Sequence, residues 1–270
     1  MEAKEIVKKL FPAIMGFILF FILTANSLSA QQVSNQSESS VKPSPDELEA
    51  MKKLEENPTP ENIETLANIR YDYAVTLAKI ADEKKDPDIY SLSVLYAESA
   101  TLLSPDVGKY WSLLGDLYAR MDGIPLAELL AEEALRRAID IDPKDQSSRL
   151  LLSKLLYSQE YYSLSLDQLE TVVKNDSKMA IPAVLFIMLN AYVLDYQHER
   201  GVIFFEELVK THPQDDNPRF MLAILLNQQG ERDEAIKELQ KIMNRSGVYK
   251  ENSQYAKRLI ESWNNGGSKK

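Results

Sequence analysis

His198 and His212 are the only imidazoles in a chain of 270 residues, and there is no cysteine. The missing thiols exclude disulfides, thiolate–metal sites and a cysteine nucleophile. A catalytic or metal-binding histidine needs partners at a fixed offset, as in His-Glu-x-x-His, and neither residue lies in that pattern. His212 precedes Pro213 at an expected helix end, where imidazole meets exposed carbonyls, and His198 opens a helix; both read as surface residues. Asp215-Asp216-Asn217 offers hard oxygen ligands, but without the spacing and closing glutamate of a calcium loop. A helix start capped by Asp215 or Asp216 is the better reading. Glu132-Glu133 and Glu206-Glu207 fall on solvated helix faces rather than in a paired acid–base arrangement. No nucleophile elbow and no phosphate-cradling glycine loop occurs. These residue types and spacings point away from catalysis, and no cofactor or metal is expected.

The charge narrows the partners. With 31 basic and 41 acidic residues the formal net charge is −10. Nucleic-acid binding requires clustered Lys and Arg to displace counterions, and no basic stripe is present.

The elements that must carry any site are helices. Ser44-Pro45-Asp46-Glu47 is a capping box with proline at the first helical position. Thr59-Pro60, Asp86-Pro87, Ser104-Pro105 and Asp142-Pro143 repeat the pairing of a capping side chain with a proline. Between these marks, apolar residues recur at three- and four-residue spacing, as in LAELLAEEALRRAIDI and DEAIKELQKIM. No run alternates with strand periodicity between hairpin turns. The spacing predicts an all-α chain.

A longer period organises the helices into pairs. A small residue of each second helix recurs at Ala131, Ser165, Gly201 and Ala235, roughly every 34 residues. Its large neighbour is Leu135, Leu169, Phe205 and Leu239. The first helices carry Gly115, Ser153, Leu189 and Ala223 in one column, and Tyr118, Leu156, Tyr192 and Leu226 in another. Leu189 departs from the small-residue pattern. The closing residue is Pro143, Ser177, Pro213 and Gly247. Small residues suit the crossing of two antiparallel helices, and large ones fill the space towards the next pair.

These columns, starting from WSLLGDLY at Trp111, resemble the tetratricopeptide repeat. The resemblance covers about Pro60 to Trp263. It implies a right-handed α-solenoid of tetratricopeptide-type helix pairs ending in a capping helix. The expected organisation is N-terminal helices with a degenerate repeat over 45–104, four repeats over 105–249, a capping helix over 250–264 and a short tail over 265–270. Extra residues around Met121–Pro125 and Lys178–Ile181 lengthen two turns. The register of the degenerate repeat is not fixed by the sequence.

In such repeats the first helices line a concave face that holds a protein or peptide. The resemblance assigns Leu150, Lys154 and Tyr157 to that groove, then Phe186, Asn190 and Val193, then Phe220, Ile224 and Asn227. Lys109, Ser112, Asp116 and Arg120 occupy the equivalent face upstream. Ser112 and Asp116 stand where chaperone-binding members carry a carboxylate clamp, so that clamp is absent. The apolar members could receive a partner or be covered within the chain, for instance by the helix at Pro45–Glu56.

The N-terminus carries an export pattern. Lys4, Lys8 and Lys9 precede the apolar run 10–25, followed by NSLSA. The run makes about 24 Å of helix, short of the roughly 30 Å hydrocarbon core. It fits a signal peptide over 1–30, cleaved after Ala30, or an uncleaved anchor tethering the protein to the inner membrane. The polar stretch 31–44 reads as a disordered linker. Either way the remainder is expected outside the cytoplasm, in the periplasm. The resemblance and the export pattern together imply a non-catalytic scaffold in a cell-envelope assembly serving secretion, the outer membrane or motility. The alternative is a ligand-binding accessory protein of a transporter.

Overall fold

Prolines and capping side chains set where the helices begin. The computed structural model describes residues 43–121, 125–244 and 250–266. The expected export segment and most of the linker lie outside them, as do Gly247 and the loop after Met121. Helix α1 spans Pro45–Glu56, α2 Pro60–Lys84 and α3 Pro87–Leu103, each opening on a proline. Thr59 caps α2 by accepting from the Asn62 amide, and Asp86 caps α3 by accepting from the amides of Asp88 and Ile89. Then follow α4 (Gly108–Ala119), α5 (Pro125–Ile141), α6 (Gln146–Ser158), α7 (Tyr162–Asn175), α8 (Pro182–Leu194), α9 (His198–Thr211), α10 (Asp216–Gln228), α11 (Arg232–Met243) and α12 (Lys250–Gly266). No strand occurs among the described residues. The chain divides at Pro45, and Asp46–Lys270 form one unit.

Two of the expected proline starts are corrected. Pro105 and Pro143 do not open helices. They sit second in tight turns, where the Val107 amide donates to the Ser104 carbonyl and the Asp145 amide to the Asp142 carbonyl, at 3.3 and 3.0 Å. Pro213 occupies the same place, with the Asp215 amide 3.0 Å from the His212 carbonyl. Proline presets the φ that both a helix start and this turn position require, so the two uses share one sequence signature. The true cap of α6 is Asp145, which accepts from the Ser148 amide.

The turns within pairs use a left-handed residue after the first helix. Lys85, Glu160, Tyr196 and Gly230 all have positive φ. The next residue's amide reaches back to close the helix: Tyr161 to Leu156, Gln197 to Tyr192 and Glu231 to Leu226, at 2.8, 2.8 and 2.9 Å. These bonds satisfy carbonyls that a helix end otherwise leaves open.

Helices α2 to α11 pack as five successive pairs, and each second helix meets the first helix of the following pair. The column residues are the packing surface. Ala131, Ser165, Ala235, Leu135, Leu169, Phe205, Leu239, Leu156, Tyr192 and Leu226 are all buried. Ser165 donates its hydroxyl to the Ser153 carbonyl at 2.8 Å, which lets a polar residue sit at the crossing. Ser93 makes the equivalent bond to Ala74, also 2.8 Å. With Ala97 and Ala100 it fixes the register of α3, so the degenerate repeat is a full helix pair. Leu189 replaces a small residue at the crossing of α8 and α9, and α9 accordingly packs more closely on α10 than on α8. This is an all-α solenoid of tetratricopeptide-type pairs.

Both ends are covered. Ala50 and Leu54 of α1 pack on Leu66 of α2, with Ile63, Ile69 and Leu103 around them. Glu47 of α1 is buried and accepts from Arg70 Nε at 3.1 Å and from the Tyr96 hydroxyl at 3.1 Å. Helix α1 therefore covers the first pair and does not lie over Leu150 or Phe186. At the other end Ala256, Leu259, Ile260 and Trp263 of α12 close the core. Glu251, Lys257 and Glu261 face solvent.

Candidate functional site

The first helices α2, α4, α6, α8 and α10 build one face, and its two halves differ in chemistry. In the first half a cavity of about 360 Å³ is lined by residues that include Tyr71, Lys109, Ser112, Asp116, Asp142 and Asp145. Most of its polar groups have internal work. Lys109 Nζ donates to Asn68 Oδ1 at 2.9 Å and lies 4.9 Å from the centre of the Tyr71 ring. Ser112 and Ser148 share a hydrogen bond between their hydroxyls at 2.8 Å, and Ser148 donates to Asp145 Oδ2 at 2.6 Å. Arg120 pairs with Asp82 at 2.8 Å and with Asp116 at 3.3 Å.

The second half is apolar. Helix α8 carries no charged residue between Pro182 and Leu194, and its apolar side chains are spread around the whole axis. A helix of that composition is ordinarily buried on all sides. Here Phe186 is 55% exposed and Leu194 48% exposed, with Ile181 beside the first turn also exposed. Leu150, Tyr157, Val193 and Ile224 are half-buried and pack against one common core, so the fold gathers residues from three first helices. Tyr157 packs edge-on against Tyr162 with ring centres 5.2 Å apart. Asn190 and Asn227 are half-buried and Lys154 is exposed.

Phe220 is different, and its assignment to an open face is corrected. It is only 6% exposed, and its ring centre lies 5.2 Å from that of Tyr255 on α12. The capping helix covers it. Phe186 holds the same place in the preceding repeat but stays open. Ile181 and Tyr255 were missed by the periodicity because they fall outside the repeat columns. The absence of charge across α8 was the available signal for the exposed face.

The spacing of the first helices adds a second feature. Helices α4 and α6 adjoin, as do α8 and α10. The connection between α7 and α8 is longer than the other connections between successive pairs. It holds a 3-10 turn at Ser177–Met179, then Ala180 and Ile181, before Pro182 opens α8.

The residues first considered for chemistry are dispersed. His198 is the first residue of α9, and the His212 amide donates to Leu208 at that helix's end. Asp215 caps α10 by accepting from the Asn217 amide. Glu132 pairs with Arg136 and Glu206 with Lys210 along their own helices. No cluster of three potential metal ligands occurs among the described residues. A bracing network joins two second helices, α7 and α9, to first helix α8. Glu170 accepts from the Tyr192 hydroxyl at 2.9 Å, from Arg200 at 2.7 Å and from Lys174 at 3.1 Å. Burial alone would raise its pKa, but the bonds from Arg200, Tyr192 and Lys174 outweigh burial and hold it below the ordinary carboxylate value. The same burial, with Glu170 alongside, pushes the Tyr192 phenol far up. The network ties α7, α8 and α9 together.

No protein-family model and no curated protein matches the chain. Among solved structures, MamA from Desulfovibrio magneticus RS-1 is similar over 64% of this chain and 94% of its own, at 17% identity and a TM-score of 0.43. MamA of AMB-1 is similar over 68% of this chain and 94% of its own, at 17% identity and a TM-score of 0.49. YrrB, described as a TPR protein with an unusual peptide-binding site, is similar over 78% of this chain and 98% of its own, at 14% identity and a TM-score of 0.48. Among the described residues no helix is long and apolar enough to cross a membrane, and the apolar run 10–25 lies outside them.

Proposed function

We propose that this protein is a non-catalytic scaffold that binds another protein through the face of its first helices, and that it works outside the cytoplasm in a cell-envelope assembly. One observation carries the binding half of the reading. Helix α8 is apolar on every side, yet Phe186 and Leu194 remain open to solvent. Leaving such a stripe in water forgoes roughly 25 cal/mol for each Å² that a partner would cover. Exposed apolar patches of this kind mark interaction sites. The placement outside the cytoplasm rests on the lysines before the apolar run 10–25. A transporter accessory that holds a small apolar molecule would call for an enclosed aromatic pocket. An open face with exposed aromatic and aliphatic side chains favours a protein.

Site-directed photocrosslinking in intact cells tests the binding half. A photoreactive phenylalanine at Phe186 should give a light-dependent adduct with a discrete protein, whereas the same group at Leu102, exposed on second helix α3, should not. Equal labelling at both positions, or none at Phe186, overturns the reading. A fusion of residues 1–36 to a reporter active only outside the cytoplasm tests the placement. Activity supports export, and activity confined to a cytoplasmic reporter refutes it.

A further inference from the structure

We propose that the solenoid carries a second docking surface, along the edge formed by the turns within its middle three pairs. Its occupant is a partner-protein segment with Lys or Arg among apolar residues. This surface is separate from the face of the first helices, so the scaffold joins two partners.

Exposed apolar side chains collect at that edge. Leu126 and Leu129 near the start of α5, Tyr161 and Leu164 at the start of α7, and Tyr196 before α9 are all exposed. Adjacent turns are tied to one another. Gln159 donates to Glu128 at 3.4 Å, and Gln197 donates to Ser163 at 3.0 Å. Each bond joins positions beside the exposed ones, so the five side chains run along a single edge. The turns of the first and last pairs differ, holding Lys85-Asp86 and Gly230-Glu231. An apolar surface bounded in this way by polar turns marks an interaction site.

Tyr196 shows that the edge serves something other than folding. It is 88% exposed and lies in the left-handed region, with φ of 56°. Gly230 takes the equivalent place in the last pair, where glycine carries no such strain. A bulky residue at positive φ is an outlier, and strain of this kind gathers at functional positions. The Tyr196 side chain forms no hydrogen bond and no ring contact among the described residues, so nothing within the fold offsets the strain.

Charge selects the occupant. The stretches 126–129, 160–164 and 195–199 contain Glu128, Glu160, Asp195 and Glu199 but no lysine or arginine. None of these four carboxylates forms an ion pair among the described residues. Arg200, next along α9, is taken up by Asp167 and Glu170. An apolar edge with an acidic rim repels anionic lipid, and it repels the same edge of a second copy. A segment that mixes basic and apolar residues complements it in both respects. Neighbouring helices pack roughly 8–10 Å apart, so three turns span about 20 Å, the reach of about six or seven extended residues.

Three peptides of about twelve residues, more than enough for that span, serve as probes. The first intersperses Leu with Lys, the second Leu with Glu, and the third Ser with Lys. Full-length protein in nanodiscs of zwitterionic lipid carries a photoreactive phenylalanine at Leu164 or, as the control, at Leu102 on α3. Adduct yield is followed against peptide concentration. The first peptide should label the Leu164 position saturably, with an affinity about tenfold above the other two, and should not label the control position. Tyr196→Gly should weaken that binding by about tenfold without lowering the melting midpoint. Glu160→Lys with Glu199→Lys should reverse the preference between the first two peptides. Lysine is accommodated at that turn position, since Lys85 holds it in the first pair with φ of 53°. Phe186→Ser should leave the labelling unchanged. No saturable labelling, equal labelling by all three peptides or at both positions, adducts with disc lipid in place of peptide, full affinity in Tyr196→Gly, or an unreversed preference in the charge variant overturns the proposal. Labelling lost in Phe186→Ser would assign the peptide to the first helices and likewise overturn it. A failure of crosslinking at Phe186 itself refutes only the face of the first helices.

Discussion

Gly201 on α9 lies so close to Tyr192 on α8 that a β-carbon there would fall 2.8 Å from Tyr192 Cδ2 and 2.5 Å from Leu225 Cδ1. Both obstacles are buried core side chains, so neither can move into solvent. Gly201→Ala should destabilise the fold by about 1–3 kcal/mol through overpacking. In a unit of this size each kcal/mol lowers the melting midpoint by about 2–4 °C. Thermal denaturation followed by circular dichroism checks it. An unchanged midpoint would mean that α8 and α9 can separate freely.

Backbone strain without crowding predicts a pair of changes of opposite sign. Gly230 has φ of +91°, with nothing within 4 Å of an added β-carbon. Gly230→Ala should therefore cost about 1 kcal/mol from strain alone. Tyr196 occupies the equivalent turn with φ of 56° and is 88% exposed. Tyr196→Gly should relieve strain of about 1 kcal/mol and raise the melting midpoint. The two variants melting in the same direction would contradict the shared turn geometry.

Crossing distances explain why the columns were legible in the sequence. Two helices that touch at Gly115 and Leu135, or at Ser153 and Ser165, force a residue of limited size, and that constraint recurs once per pair. The covering of Phe220 was not legible, because the repeat register gives Phe186 and Phe220 the same surroundings. What separates them is the element that follows, and only α12 places a tyrosine on the second ring. The role of Pro105 and Pro143 was misread for a related reason. A proline at a helix start and one in a turn need the same φ, and the deciding signal was the real cap, Asp145, two residues beyond Pro143. In α3 the register was hidden because α2, at 25 residues, is too long to give the usual offset between paired helices, and the fit of Ser93 at the crossing depends on a hydrogen bond. The sequence places Lys109 and Ser112 on the face but not their partners Asn68 and Ser148, which are far away along the chain.

Alkaline pH should unfold the protein together with its tyrosines. Burial is the main cause that pushes the phenols of Tyr90 and Tyr96 from 10.0 to about 12, with Glu47 adding to the effect at Tyr96. The same burial raises Tyr192 further. An unfolded chain releases these protons near pH 10, while the fold retains them. Between pH 10 and 12 the unfolded state thus binds fewer protons, and stability falls as pH rises. Absorbance at 295 nm should show a late, cooperative tyrosine phase coinciding with loss of helical dichroism. Ionisation of every tyrosine near pH 10 with the helices intact would refute it.

The Glu47–Arg70 pair should control the docking of α1. The two side chains are only 3% and 10% exposed. Arg70→Met leaves a carboxylate buried without its cation, a loss of about 3–5 kcal/mol. Helix α1 should detach first, because it holds only the end of the solenoid through Ala50 and Leu54. Limited proteolysis should then cut near Asn57–Thr59 well before the other loops. The double change Glu47→Leu with Arg70→Met should restore much of the protection, since two apolar side chains leave no charge unpaired. Equal cleavage of the single and double variants would show that α1 is held by other contacts.

Phe186 and Phe220 occupy one repeat column and should respond oppositely to the same substitution. Phe220 lies beneath Tyr255 within the core that α12 completes. Phe220→Ser should cost about 3–5 kcal/mol, as truncation of a buried phenylalanine does, and should lower the melting midpoint accordingly. Phe186 is more than half exposed, so Phe186→Ser removes little buried surface and should shift stability by within about 0.5 kcal/mol. Its effect should fall instead on partner capture, because a large aromatic ring near the centre of an interface tends to carry its energy. Melting curves and crosslinking yields from a photoreactive group at Leu194, which flanks Phe186 on the same helix, separate the two effects. Lost capture with an unchanged melt for Phe186→Ser, against a lowered melt for Phe220→Ser, is the expected pattern. If Phe186→Ser instead lowers the melt as far as Phe220→Ser, the ring belongs to the core, and the open face on α8 is not a binding surface.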